Sequence, residues 1–252
     1  MKFLYMDERY ADQSLPREAW SVTLTGMLVP ADRHREIRDR FYDALATAVG
    51  RKPNTVPALI EIHAAALLPD ADDNTRITFL QNVTDIITDF DLSLYRVGYR
   101  RTRQLVRTFK TDTAILGLAF FGLLGLVTRD LPTDLIWPVM ETDVTAAQDQ
   151  AFAGQVQFTD HIGAHIGTED LSRDQTNLGE VLYSTKRSIH GALVDCAAYL
   201  LNVRTLAREE RPLSAFKRRL ADVADRLEAA VRYDEIILMR HGGPPTEPAE
   251  TD

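Results

Sequence analysis

Several acidic side chains of this chain lie where a carboxylate is costly unless a cation accompanies it. The first is Asp7, which together with Glu8 follows the apolar run of residues 2–6. Such a run is typical of a buried strand, and an unpaired, desolvated carboxylate at its end costs several kcal/mol. We therefore expect a cation to compensate Asp7, and a metal ion is one candidate.

Glu61 and His63 lie in a second apolar segment, residues 58–68. Side chains two apart on a strand point to the same side, so this pair suits a metal ion or a proton relay. Alternatively, Glu61 and His63 lie on the solvated face of a strand. The sequence pattern by itself favours this second interpretation.

Two later segments also combine apolar sequence with acids. Asp195 lies within residues 189–201, a helical segment that is apolar nearly all round, and aspartate is rarely buried without a partner. This context favours a functional role for Asp195. Glu141 and Asp143 end the predicted strand of residues 134–140 and so repeat the pattern of the first strand.

His161 and His165 have the four-residue spacing of a zinc site on one helix face. The glutamate of a His-Glu-x-x-His protease is absent, because Ile162 takes its place, and two surface or capping histidines are the favoured interpretation. Motifs for ATP hydrolysis, serine hydrolysis and dinucleotide binding are also missing from the sequence.

One stretch of the chain is strongly basic, although the formal net charge is -8. It has no acid between its first and last cation, and it is interleaved with Tyr95, Tyr99 and Phe109. Binding of nucleic-acid phosphates and a solvated face balanced by acids elsewhere are both open. The cations are Arg96, Arg100, Arg101, Arg103, Arg107 and Lys110.

The elements that would position these residues alternate between short strands and longer helices, which predicts an α/β fold. We expect one helix to end at Gly50 and another to begin at the cap Asp72. Pro138 argues against a central position for its strand, because proline donates no hydrogen bond to a neighbouring strand. The predicted strands are residues 2–6, 20–29, 58–68, 92–99, 134–140 and 178–183. The predicted helices are residues 31–49, 72–90, 102–129 in two parts, 144–163, 188–208 and 213–232.

A chain of 252 residues can form one domain, which we place at residues 1–240, with helical insertions at about 102–130 and a disordered tail at 241–252. The single cysteine, Cys196, excludes a disulfide framework and metal binding through thiolates, and it suggests a reducing compartment. The N-terminus lacks the pattern of a secretory signal, so we expect a cytoplasmic protein. The apolar residues 114–127 are too few to span a membrane and predict a helix buried on all sides.

In order and approximate spacing, these motifs resemble those of the family called domain of unknown function 3800, which is regarded as having a ribonuclease-H-like fold. Its opening Asp-Glu-Ser-Gly is matched by Asp7-Glu8, and its Glu-x-His by Glu61-Ile-His63. A late Ile-Gln-Leu-Ala-Asp-Leu-Ile-Ala-Tyr helix is matched in part around Asp195. The resemblance spans residues 2–202, but Arg9-Tyr10 replaces Ser-Gly and Ala192 replaces the glutamine.

The resemblance implies a ribonuclease H-like mixed sheet of about five to six strands flanked by helices, and a cluster of acids that binds one or two Mg²⁺ or Mn²⁺ ions. The ligands would be Asp7, Glu61, Glu141 with Asp143 as its substitute, and Asp195. Such a site hydrolyses phosphodiester bonds, so nucleic acid would be the partner. An inactive scaffold that serves as a binding or regulatory module, in phage defence or a mobile element, is the alternative.

Supporting roles are expected for residues next to these acids. His63 would orient water or a phosphate, and Glu8 would flank Asp7. Lys186, Ser188 and His190 precede Asp195 and could contact a phosphate, although ordinary solvated residues at a helix N-terminus are the alternative. The oligomeric state stays open.

Overall fold

The structure is a computed structural model in which the described residues are 1–10, 21–50, 68, 70–102, 105, 107–108, 112–142, 177–178, 182–185 and 188–238. They form one six-stranded mixed sheet in the order β5-β4-β1-β2-β3-β6. The strands are β1 Lys2–Tyr10, β2 Ser21–Pro30, β3 Ser93–Arg100, β4 Ile136–Thr142, β5 Leu182–Thr185 and β6 Val231–Ile237.

Five α-helices flank the sheet within the described residues: α1 His34–Ala48, α2 Asp73–Asp89, α3 Asp112–Asp130, α4 Ile189–Arg208 and α5 Ala215–Asp225. β1, β2 and β3 are antiparallel neighbours, whereas β4 runs parallel to β1 and β5 parallel to β4. This mixed sheet flanked by helices confirms the predicted α/β class and is consistent with the ribonuclease H-like fold.

The two faces of the sheet have separate cores. Leu4 and Met6 of β1 face α3 and pack with its residues Ile115 and Leu123. Tyr5, between them, faces the other layer, which contains α1, α2, α4 and α5. Because strand side chains alternate between faces, Asp7 and Arg9 lie on the same side as Tyr5 and α4.

β1 is longer than the predicted strand of residues 2–6, because it pairs with β2 as far as Tyr10↔Val22. Its parallel pairing with β4 ends earlier, at Met6↔Met140. The sequence predicted that the strand ends before Asp7, and this was wrong. Asp7 lies within β1 and is the first residue beyond the β1–β4 ladder. Arg9 and Tyr10, which replace the Ser-Gly of the resembled motif, continue the strand.

Two other elements differ from the sequence-based expectation. The predicted helix of residues 213–232 ends at Asp225, and the chain then forms β6, which pairs in parallel with β3 at the sheet edge. β4 lies inside the sheet despite Pro138, which faces the gap between the bridge Ile136↔Leu178 and the first β4–β5 pair, Val139↔Leu182. A missing N–H is tolerated there because the ladder to β5 has not yet begun.

Several helix ends agree with the sequence. Gly50 follows α1 with a φ of 65°, a conformation that glycine adopts without strain. The side chain of Asp72 accepts a hydrogen bond from the N–H of Thr75 at 2.7 Å and so caps α2. α3 is buried along the side facing the sheet and only partly covered elsewhere, so it is not buried on all sides. None of the described helices is long and apolar enough to cross a membrane.

Candidate functional site

Asp7 of β1 and Asp195 of α4 lie where this helix packs across β1 and β2. Arg9 of β1 lies 3.8 Å from Asp195 of α4, and Asp7 is on the same face of β1 two residues earlier. Cys196 follows Asp195 in the chain and its thiol is buried. Burial is the main cause of its raised pKa, and the charges of Asp195 and Asp7 raise this pKa further, while Arg9 lowers it. The fold therefore brings together two carboxylates that are 188 positions apart in the sequence.

Arg9 forms an ion pair with Asp195. Its Nη1 atom lies 3.8 Å from Oδ1 of Asp195, and the two side chains are 22% and 15% exposed. Its guanidinium also lies over the ring of Tyr199, 4.9 Å from the ring centroid. Asp195 thus has the partner that its apolar helix led us to expect, and this partner is a residue that replaces the serine of the resembled motif.

A row of polar residues crosses the sheet from Asp7. Thr25 on β2 is the register partner of Asp7, Arg96 on β3 is the partner of Thr25, and Asp234 on β6 is the partner of Arg96. We call these four residues the polar row. Arg96 is 2% exposed and donates to Asp234 at 2.7 Å and to Thr205 of α4 at 2.5 Å. The buried guanidinium of Arg96 therefore links β3 to β6 and to α4.

An imidazole pair lies where α4 begins, against Tyr5, which is on the same face of β1 as Asp7. The ring of His190 stacks on that of His34, with centroids 3.6 Å apart, and on that of Tyr5 at 5.0 Å. The hydroxyl of Tyr5 is 2.6 Å from Nε2 of His34. Burial, the neighbouring His34 and Arg38 together lower the pKa of His190 to about 3, so its ring is neutral at pH 7. Burial raises the pKa of Tyr5 to about 12.

The basic stretch does not form one surface. Arg96 is buried in its ion pair with Asp234, so it serves the fold and cannot contact a nucleic acid from that position. Arg100 pairs with Glu209 just after α4. Arg101 is partly buried and Arg107 is exposed, whereas Arg103 and Lys110 lie outside the described residues.

Of the other predicted site residues, some are described by the structure and the rest lie outside the described residues. Glu8 lies on the α3 side of the sheet, opposite to Asp7, and Ser188 caps α4 by accepting from the N–H of Gly191 at 3.3 Å. β4 includes the backbone of Glu141, one residue beyond the partner of Met6, but the side chain is outside the described part. Glu61, His63, Asp143, Lys186, His161 and His165 also lie outside it, as do residues 241–252 and the predicted elements at 58–67 and 144–163.

The described part of the site fits a divalent cation only in part. Asp7 and Asp195 supply carboxylate oxygens, which are the ligands that Mg²⁺ and Mn²⁺ prefer. Within the described residues, no group of three or more histidine, cysteine, aspartate or glutamate side chains comes together. Glu61 and the side chain of Glu141, which would complete the set, are outside those residues.

The sequence interpretation missed Arg9 and Thr25, as well as His34, which stacks on His190, and Asp234, which pairs with Arg96. One signal was present, because Asp7 and Arg9 are two apart on a strand and must share a face. The other residues had no local signal, since their partners are set by strand register and by the helix that covers each strand.

Comparison with known proteins adds no relative. No protein-family model matches the chain, and no curated protein matches it. The resemblance to the family of unknown function therefore stays a prediction, and the class of the protein is given by its fold alone.

Proposed function

We propose that this protein is a Mg²⁺- or Mn²⁺-dependent nuclease-like protein that hydrolyses phosphodiester bonds of nucleic acid. The observation that carries the proposal is that Asp195 on α4 faces the side of β1 that carries Asp7, because Arg9, two residues after Asp7, lies 3.8 Å from Asp195. These acids come from a strand and a helix that are far apart in sequence. Two partly buried carboxylates on facing elements are unfavourable unless positive charge compensates them, and a divalent cation would supply such charge.

Asp7 and Asp195 would hold the cation, with Glu61 and either Glu141 or Asp143 as further ligands. A bound divalent cation supplies an activated water and balances charge on the phosphate. His63 would orient water or a phosphate, and the exposed Arg107 is available for the backbone of the substrate. We further propose a reducing, cytoplasmic location, because the single cysteine is buried and free.

The test is cleavage of single-stranded DNA, duplex DNA, RNA and a hybrid duplex in Mn²⁺ and in EDTA. Wild type should cleave at least one substrate in Mn²⁺, and Asp7→Asn and Asp195→Asn should each abolish cleavage while the protein keeps its circular dichroism spectrum. Asp222→Asn, which changes an exposed acid of α5, is the matched control and should cleave like wild type. Cleavage that survives Asp7→Asn rules out the mechanism.

A second function, that of a binding or regulatory module, is favoured by Arg9. Its guanidinium lies 3.8 Å from Asp195 and supplies positive charge without a metal ion. In this case the acids would stabilise the fold and no cleavage would occur. Calorimetric titration with Mn²⁺ separates the two functions, because a module without a metal site shows no saturable binding in wild type or in an Arg9 variant.

A further inference from the structure

Arg9 is held in place from two sides. Its backbone belongs to β1, which continues in register with β2 through Arg9↔Thr23, and the hydroxyl of Thr23 donates to the Arg9 carbonyl at 3.4 Å. Its side chain lies over Tyr199, one helical turn after Asp195. The guanidinium is therefore directed to Asp195 by elements that belong to the fold.

Arg9 and a divalent cation would use the same negative charge. Asp7 and Arg9 leave β1 on one face because they are two residues apart, and Asp195 faces both from α4. A metal ion bound by Asp195 would have to share a partly buried carboxylate with the guanidinium. Like charges at such short range repel strongly where water is partly excluded, so the two cations compete.

We propose that Arg9 is a resident counter-cation of the Asp7–Asp195 site, and that a divalent cation binds there by displacing its guanidinium from Asp195. This inference rests on the proposed function, since it takes the two carboxylates as metal ligands. It adds a regulatory contact to that site: the occupancy of the metal depends on where the side chain of Arg9 lies. Any anion that attracts Arg9 away from Asp195 would favour metal binding.

The test is calorimetric titration of the full chain with MnCl₂. Arg9→Gln removes the charge and keeps a long polar side chain. It should tighten Mn²⁺ binding by about tenfold, which corresponds to about 1.4 kcal/mol of electrostatic interaction. Arg9→Lys keeps the charge and should stay close to wild type. Arg9→Met, whose side chain can pack on Tyr199, replaces Arg9→Gln if that variant fails to fold.

Arg33→Gln is the matched control. Arg33 also contacts an aromatic ring, that of Phe90 at 4.8 Å, and a carboxylate, that of Glu36 at 2.9 Å. This substitution should leave Mn²⁺ affinity unchanged. In the Arg9→Gln background, Asp195→Asn should abolish the tightened binding.

A second measurement uses thermal unfolding in place of calorimetry. In EDTA, Arg9→Gln should unfold at a lower temperature than wild type, because Asp195 loses its guanidinium partner, and Mn²⁺ should raise this temperature more in the variant than in wild type. Equal Mn²⁺ affinity in wild type, Arg9→Gln and Arg9→Met, with binding still lost in Asp7→Asn, overturns this inference and leaves the proposed function standing. The absence of saturable Mn²⁺ binding in every variant overturns both.

Discussion

Replacement of Asp234 by asparagine should lower the free energy of unfolding by about 3 kcal/mol. Asp234 is the partner of Arg96, whose side chain is 2% exposed and whose Nε and Nη2 atoms lie 2.7 and 2.6 Å from Oδ1 of Asp234. Burial lowers the pKa of Arg96, and the charge of Asp234 is the main effect that opposes this change. The variant would leave a buried guanidinium without its counter-charge.

The magnitude follows from the position of the pair. Removing one partner of a buried ion pair typically costs about 3–5 kcal/mol. We expect the lower end of that range, because the Asp234 side chain is 17% exposed and Thr205 still accepts a hydrogen bond from Arg96. For a chain of this size, the loss corresponds to a decrease of about 6–12 °C in the midpoint of thermal unfolding.

The measurement is urea unfolding followed by far-ultraviolet circular dichroism at pH 7. Asp89→Asn is the control, because Asp89 pairs with Arg40 where both side chains are about half exposed, and its effect should stay below about 1 kcal/mol. Arg96→Met combined with Asp234→Asn should cost less than the sum of the two single changes, since no bare charge remains buried. A loss below about 1 kcal/mol for Asp234→Asn would refute the argument.

Three further predictions concern the same sheet and α4. Gly98→Ala should destabilise the protein by about 1–3 kcal/mol, because an added Cβ would lie 2.5 Å from Cγ2 of Thr23, and Thr23→Ser should restore part of the loss in a thermal-shift assay. Ser188→Ala should cost about 1 kcal/mol in urea unfolding and Ser188→Gly only a few tenths, because the hydroxyl caps α4. The pKa of His190 is about 3 in the fold, against an ordinary value of 6.5, so its contribution to stability is present above pH 6.5 and is lost as the pH falls toward 3. Unfolding free energies between pH 7 and pH 4 should therefore fall less steeply in His190→Phe than in wild type; parallel pH profiles would contradict this explanation.

Local patterns were sufficient for much of the fold. The cap at Asp72 and the end at Gly50 each depend on neighbouring residues, and the sequence predicted both correctly. β6 was missed because its alternating sequence directly follows the charged α5, and only its partner β3 identifies it as a strand. The extension of β1 through Tyr10 likewise depends on β2, which continues to pair with it.

The candidate site was harder to predict because it combines two periodicities. Asp7 and Arg9 share a face of β1 since they are two residues apart, and Asp195 and Tyr199 share a face of α4 since they are four apart. Either pattern could be read from the sequence, but their meeting depends on which helix covers which strand. Once α4 lies over β1, Arg9 contacts both residues of the helix pair, and the arginine that replaces the serine of the resembled motif becomes part of the charge balance of the site.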